Sequence, residues 1–155
     1  MILSHPGIEI QPALDYRDKG AIQGMLALWT SRGWLRELDR AFADFLWEEA
    51  PDAHPLLILA AALASHQLGR GHACLDLAAT HAQPGLVLSI PPEGDDAGQA
   101  GLPPAPERLL RQWTLAEWQA ALNHPDLVSE GPGNTPLVLS GSRFYLRRYW
   151  QYEQR

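Results

Sequence analysis

Lysine is all but missing from this chain: Lys19, in "RDKGAI", is the only one. That scarcity excludes a function. A phosphate-binding P-loop needs G-x-x-x-x-G-K-[ST], because backbone amides hold the phosphates while the lysine charge reaches the terminal ones. Lys19 follows Asp18 and precedes Gly20, so nucleotide hydrolysis by that route is ruled out. Cysteine is equally scarce. Cys74 alone can form neither an internal disulfide nor a cysteine-based zinc site, and a reducing compartment, the cytoplasm, is expected. Excess positive charge is also lacking. At a net charge of −6 the chain as a whole is no nucleic-acid clamp, and any basic patch must be local. Long apolar runs are absent too. The longest, "LLILAAALA" from Leu56 to Ala64, is about half of the ~20 residues that span a bilayer, so it reads as a buried core helix, with no membrane partner expected. The start, "MILSHPGIEIQP", lacks the basic and apolar segments of a secretory signal.

What remains is the composition of one soluble domain: 155 residues, 46% hydrophobic and 19% charged. Residues 1–18 read as a flexible lead-in with Pro6, Gly7 and Pro12. Ile22, Met25, Leu26 and Trp29 then recur at helical spacing, and Gly33 is a plausible stop. In "LDRAFADFLWEEA" the periodicity places Leu38, Phe42, Phe45 and Leu46 on one face, with Asp39 as N-cap and Pro51 ending the helix. A third helix begins at His54-Pro55 and runs to about Gln67, since proline suits the first helical position. It is apolar nearly all round and so is expected at the centre of a bundle, closed by Gly69 and Gly71.

"HACLDL" reads as a short extended segment, with Asp76 capping a single turn over Leu77–His81. Residues 83–106 read as a long Pro/Gly-rich loop interrupted by "GLVLSI". Helix returns near Glu107, and "TLAE" at Thr114–Glu117 fits a capping box, with Leu115, Trp118, Ala121 and Leu122 on the apolar face. The end is a β-hairpin: Leu137–Ser140 and Arg143–Arg148 flank Gly141-Ser142, where glycine in first place suits a type II′ turn. The expected class is therefore α+β, a mostly helical bundle with a small antiparallel sheet that joins this hairpin to a strand near 72–75 or 127–129. Leu26, Phe42, Phe45, Leu46, Leu57, Leu59, Leu63, Leu110 and Trp118 are the expected core.

No constellation of catalytic residues stands out. His66, His72, Cys74 and His81 share a window, but their spacings match no zinc pattern and they read as packing and surface residues. There is no G-x-S-x-G elbow, and Cys74 sits among apolar neighbours rather than charges. Glu48-Glu49 and Asp95-Asp96 read as a solvated helix face and a linker. The C-terminal hairpin is richer. Strand alternation would turn Phe144, Leu146 and Trp150 to one side and Arg143, Tyr145, Arg147 and Tyr149 to the other. With Arg148 these residues are the candidate contacts for DNA or for a partner protein, through phosphate pairing and base stacking or through arginine stems packed on aromatics. The six tryptophans exceed the need of one small core, so some are expected at a protein interface.

Three stretches together resemble the N-terminal region of the RecD family, the alpha subunit of exodeoxyribonuclease V. They are "LRELDRAFADFL", "HPLLILAAALASHQLGRGHACLDL" and "PLVLSGSRFYLRRYWQYEQR". The most specific is G-x-R-[FL]-Y-L-x-R-x-W, with Glu153 close behind. The resemblance covers most of residues 20–155 apart from the proline-rich loop. It implies a non-catalytic interaction domain over 19–150 that docks on a RecC-type subunit. Residues 151–155 would begin a link to a helicase core. The family's full subunit is a 5′-to-3′ DNA helicase that needs ATP and Mg2+ and works with RecB- and RecC-type subunits on broken DNA ends. No cofactor is expected within this stretch, and with the helicase motifs missing no catalytic residue carries over. A DNA-binding wing made by the Arg/Tyr hairpin is the alternative reading.

Overall fold

The computed structural model describes residues 17–95 and 102–154. The lead-in therefore lies outside the described residues except for Arg17 and Asp18, as do residues 96–101 of the proline-rich loop. Helix α1 (Lys19–Ser31) starts where the Asp18 carboxylate accepts the Ala21 amide at 3.0 Å, and Gly33 turns the chain out of it with φ +78°. Helix α2 (Glu37–Glu49) starts three residues earlier than expected, with Arg36 as its N-cap in place of Asp39. Asp39 sits at the third helical position instead, where its carboxylate reaches back to the Arg36 amide at 2.9 Å.

Helix α3 (Pro55–Gly69) is the axis of the domain. Leu56–Ala64 are at most 1% exposed. It packs against α1 and α2, and later elements close around it. Its alanines, Ala60, Ala61, Ala62 and Ala64, let neighbouring backbones come close, while each buried leucine contributes about 1.5–3 kcal/mol relative to exposure. The N-cap is a histidine: His54 Nδ1 accepts the Leu56 amide at 3.0 Å.

After α3 come β1 (Leu75–Asp76) and α4 (Leu77–Ala82), with Asp76 capping α4 through the Ala79 amide. The stretch read as one long loop contains helix α5 (Pro84–Leu88), started by its proline. Leu88 and Ile90 are buried, and Gln67, Arg70 and His66 bind the Val87 and Leu88 carbonyls, so α3 holds this segment down. Asp95, read as linker, accepts the Trp34 indole N–H at 2.8 Å. Helices α6 (Pro106–Leu110) and α7 (Leu115–Ala121) follow, and α7 opens with the expected capping box, Thr114 and Glu117 each accepting the other's amide at 3.0 Å.

The sheet comprises β2 (Val128–Ser129), β3 (Leu137–Ser140) and β4 (Arg143–Leu146) with β1, in the order β1-β4-β3-β2. Both candidate partners of the hairpin are thus used. The pairings of β4 with β1 and β3 are antiparallel, whereas β2 joins β3 in parallel, so the sheet is mixed. Gly141 turns the hairpin with φ +61° while Ser142 stays at negative φ, as a type II′ turn requires. The second strand ends at Leu146, because α8 (Arg147–Glu153) takes over there.

Two expectations about burial need correcting. Phe45 is 48% exposed and Leu38 62% exposed, so neither belongs to the core, and Phe42 is only half-buried. The buried face of α2 is Asp39, Ala43, Leu46 and Trp47, offset by the demand that Asp39 meet α3. Five of the six tryptophans are buried, with Trp150 half-buried, so the aromatic surplus serves the core rather than an interface. Trp29 and Trp47 satisfy their indole N–H groups on the Pro104 and Ala53 carbonyls.

Candidate interaction surfaces

The hairpin residues singled out by the sequence do not share one face. Phe144 and Tyr145 are consecutive, yet both are buried. One side of β4 meets α3, and α8 folds back along the other. Tyr145 donates its hydroxyl proton to Glu153 at 2.5 Å. Its pKa is pushed up to about 12, first by burial and then by that bond, so it stays protonated. Arg147 is spent internally. Its guanidinium donates to the Thr135 carbonyl at 2.8 Å, the Gly131 carbonyl at 2.6 Å, Ser129 Oγ at 2.7 Å and Thr135 Oγ1 at 2.8 Å. Its plane also lies over the Trp150 ring. The residue ties the turn after β2 to the start of α8.

Arg143 and Arg148 are exposed and Tyr149 half-buried. Arg148 donates to the Tyr152 hydroxyl at 2.9 Å, which raises its pKa. Arg143 borders a cleft of about 500 Å³ together with Arg70, His72, Cys74, Asp76 and Glu153. Burial first, and the nearby Glu153 carboxylate second, push the Cys74 thiol up from its ordinary value, so it is held away from the thiolate a nucleophile needs. His66 and His81, from the window weighed for metal, bond to the Leu88 and Trp113 carbonyls.

A second surface, which includes Phe42 and Phe45 of the expected core, lies across α2. Residues Leu38, Phe42 and Phe45 follow at i, i+4 and i+7, so at 3.6 residues per turn they line one stripe of the helix. Beside it a groove of about 260 Å³ runs between α2, the end of α3 and the β4–α8 junction, floored by Leu68 and Leu146 and walled by Tyr149. At one end Arg36 lies flat across Gly69, where an added Cβ would sit 2.6 Å from the guanidinium carbon. That arginine is anchored by Asp39, which is fully buried and also accepts from Ser65 Oγ at 2.6 Å, while Arg36 reaches the Ser65 carbonyl at 2.9 Å. Glu37, Asp44 and Glu48 line the outer flank of the stripe. Asp44 faces Arg40 at 3.9 Å; among the described residues no ion pair involves Glu37 or Glu48. The signal for this face was available in the sequence as an i, i+4, i+7 apolar stripe next to an acidic row. It was lost because the same spacing also describes a core face.

Residues 31–145 match the family model for the N-terminal domain of RecD, a subunit of the RecBCD enzyme. The chain belongs to this family. The matched span runs from the last residue of α1 to within one residue of the end of β4, so it takes in the α2 stripe, the α3 axis, the Arg36–Asp39 clamp and all of the hairpin but Leu146. A comparison with curated proteins returned no match. Among the described residues no group of three or more histidine, cysteine, aspartate or glutamate side chains could hold a metal ion, and no helix is long and apolar enough to cross a membrane.

Proposed function

We propose that residues 19–150 form a non-catalytic docking domain that anchors a RecD-like helicase subunit to a RecC-type subunit, in a complex with a RecB-type subunit acting on broken DNA ends in double-strand-break repair. The family match over residues 31–145 carries this reading. A rigid, tryptophan-filled core with an unpartnered apolar stripe on its surface supports it, since contiguous exposed apolar patches mark interaction sites. In this reading α8 leads on through residues 151–155 toward a helicase core that uses ATP and Mg2+, and the assembly works in the cytoplasm. Of the hairpin candidates, Tyr149 and Arg148 are proposed as partner contacts, Tyr149 because it walls the groove. The test is biolayer interferometry of the purified, folded chain against a purified RecC-type subunit. Saturable binding is expected; no binding at roughly 10 μM partner would refute the reading.

One observation favours DNA contact as a second reading: Arg143, at the start of β4, and Arg148, in α8 just past its end, are both exposed. Fluorescence anisotropy with single-stranded and forked DNA at low salt tests it. Salt-dependent binding that weakens in Arg143→Ala and Arg148→Ala is expected if it holds, and absence of binding at low salt would end it.

A further inference from the structure

The outer face of α2 combines an apolar stripe with unneutralised negative charge, and we infer that it is the seat of the docking partner, which meets it with an apolar ridge bordered by lysine or arginine. This rests on the docking reading above and says which face carries it and what chemistry fits there. Leu38 and Phe45 expose 62% and 48% of their surface, on a helix whose opposite side is sealed into the core. Single exposed apolar residues are ordinary, but here two stand on one stripe with Phe42 between them, beside a groove already floored with Leu68 and Leu146. The charge distribution is one-sided. Helix α2 carries Glu37, Asp39, Asp44, Glu48 and Glu49 against Arg40 alone. Arg36 neutralises Asp39 and Arg40 faces Asp44, which leaves Glu37, Glu48 and Glu49 without an ion pair among the described residues. All three are exposed, and each would gain from an opposing cation as the interface excludes water.

The groove also has a fixed shape. Arg36 is locked by a buried carboxylate and by a backbone carbonyl, and Gly69 gives it room to lie flat. A preformed groove loses little freedom on binding, so a side chain inserted between Phe42 and Tyr149 keeps most of its burial energy. Leu38 and Phe45, the most exposed members of the stripe, are the expected anchors.

The test uses interferometry of the chain against the purified RecC-type subunit, with sedimentation velocity of the chain alone. Leu38→Arg and Phe45→Arg put a like charge opposite the expected cations on positions that contribute little to the fold, and each should weaken binding about thirtyfold, the size of a hot-spot residue. Glu48→Lys should weaken it less, about fivefold, and flatten its dependence on salt. Arg111→Ala, at the C-cap of α6, serves as the neutral control, and thermal melts check that every variant is folded. Unchanged affinity in both arginine variants, with wild-type chain still binding, would overturn this inference and leave the docking reading standing. Failure of folded wild-type chain to bind would remove the docking reading itself. A wild-type dimer that dissociates in Phe45→Arg would assign the face to a second copy and overturn the inference as well.

Discussion

Two arginines in this domain do similar mechanical work against different partners. Arg36 ties α2 to α3 through a carboxylate, Asp39, that has no exposure to water. Arg147 ties the turn after β2 to α8 through carbonyls and hydroxyls alone. The difference decides how each joint fails. Remove the cation from Arg147's site and four neutral acceptors remain, all partly accessible, so water replaces most of what is lost. Break the other pair from the carboxylate side, and a buried serine hydroxyl, a helix-end amide and a half-exposed guanidinium lose their acceptor together.

The largest effect is therefore expected at Asp39. Asp39→Ala should destabilise the domain by about 3 kcal/mol, combining a broken partly buried ion pair with a lost N-terminal cap. Asp39→Asn keeps the size and one acceptor and should cost about half as much. Urea denaturation with a shared slope measures both; equal small losses would mean that Arg36 and Ser65 find water once the carboxylate is gone. Because Arg36 walls the groove, Asp39→Ala should also loosen that surface. Separating this from direct contact loss is the reason to prefer Leu38 and Phe45 as interface probes.

Arg147→Ala comes next, at about 2 kcal/mol, a few hydrogen bonds from a charged donor to acceptors that can be rehydrated. Arg147→Lys should recover little, since one ammonium cannot span Ser129, Gly131 and Thr135 as the planar fork does. Hydrogen exchange gives the sharper readout. Amides at Val128 and Ser129 should exchange faster in both variants, while those of the buried α3 axis stay protected. Faster exchange in α3 would mean that the hairpin joint supports the bundle and that the two joints are not separable.

The helical half of the fold was legible in the sequence because its signals are local. Proline at 55, glycine at 33, the Thr114–Glu117 box and the all-apolar run of α3 each act within a turn or two of where they stand. The hairpin and its turn were legible for the same reason. What stayed hidden depends on residues far apart in the chain. Alternation alone sends Tyr145 outward, but α8 doubles back and offers Glu153, which makes an outward position an inward one. Asp39 reads as a cap from its neighbours, yet its burial is set by Ser65, twenty-six positions on. Phe45 and Leu38 obey the periodicity of a core helix and lose their core to that same demand, which turns α2 to favour Asp39. A helical residue's face follows from its spacing; which face is covered depends on the neighbours that arrive later.

The smallest expected effect is a pH dependence that distinguishes local from tertiary support at the start of α3. His54 caps the helix with the lone pair of Nδ1, so the cap exists only while the ring is neutral. Burial first, and the Arg17 charge second, lower its pKa below the ordinary 6.5. His66 is lowered as well, chiefly by burial and against the Leu88 carbonyl that its ring meets. Both rings therefore take up a proton more readily in the unfolded chain than in the folded one. Their contribution to stability is complete above about pH 6.5 and declines as the pH falls toward the lowered folded values. The melting temperature should accordingly drop between pH 7 and pH 5, before most carboxylates titrate. His54→Asn supplies a cap that does not titrate in this range and should flatten part of that slope while leaving stability at pH 7.5 nearly unchanged. An identical slope in wild type and His54→Asn would show that tertiary packing of α3 holds its first turn without help from the histidine lone pair.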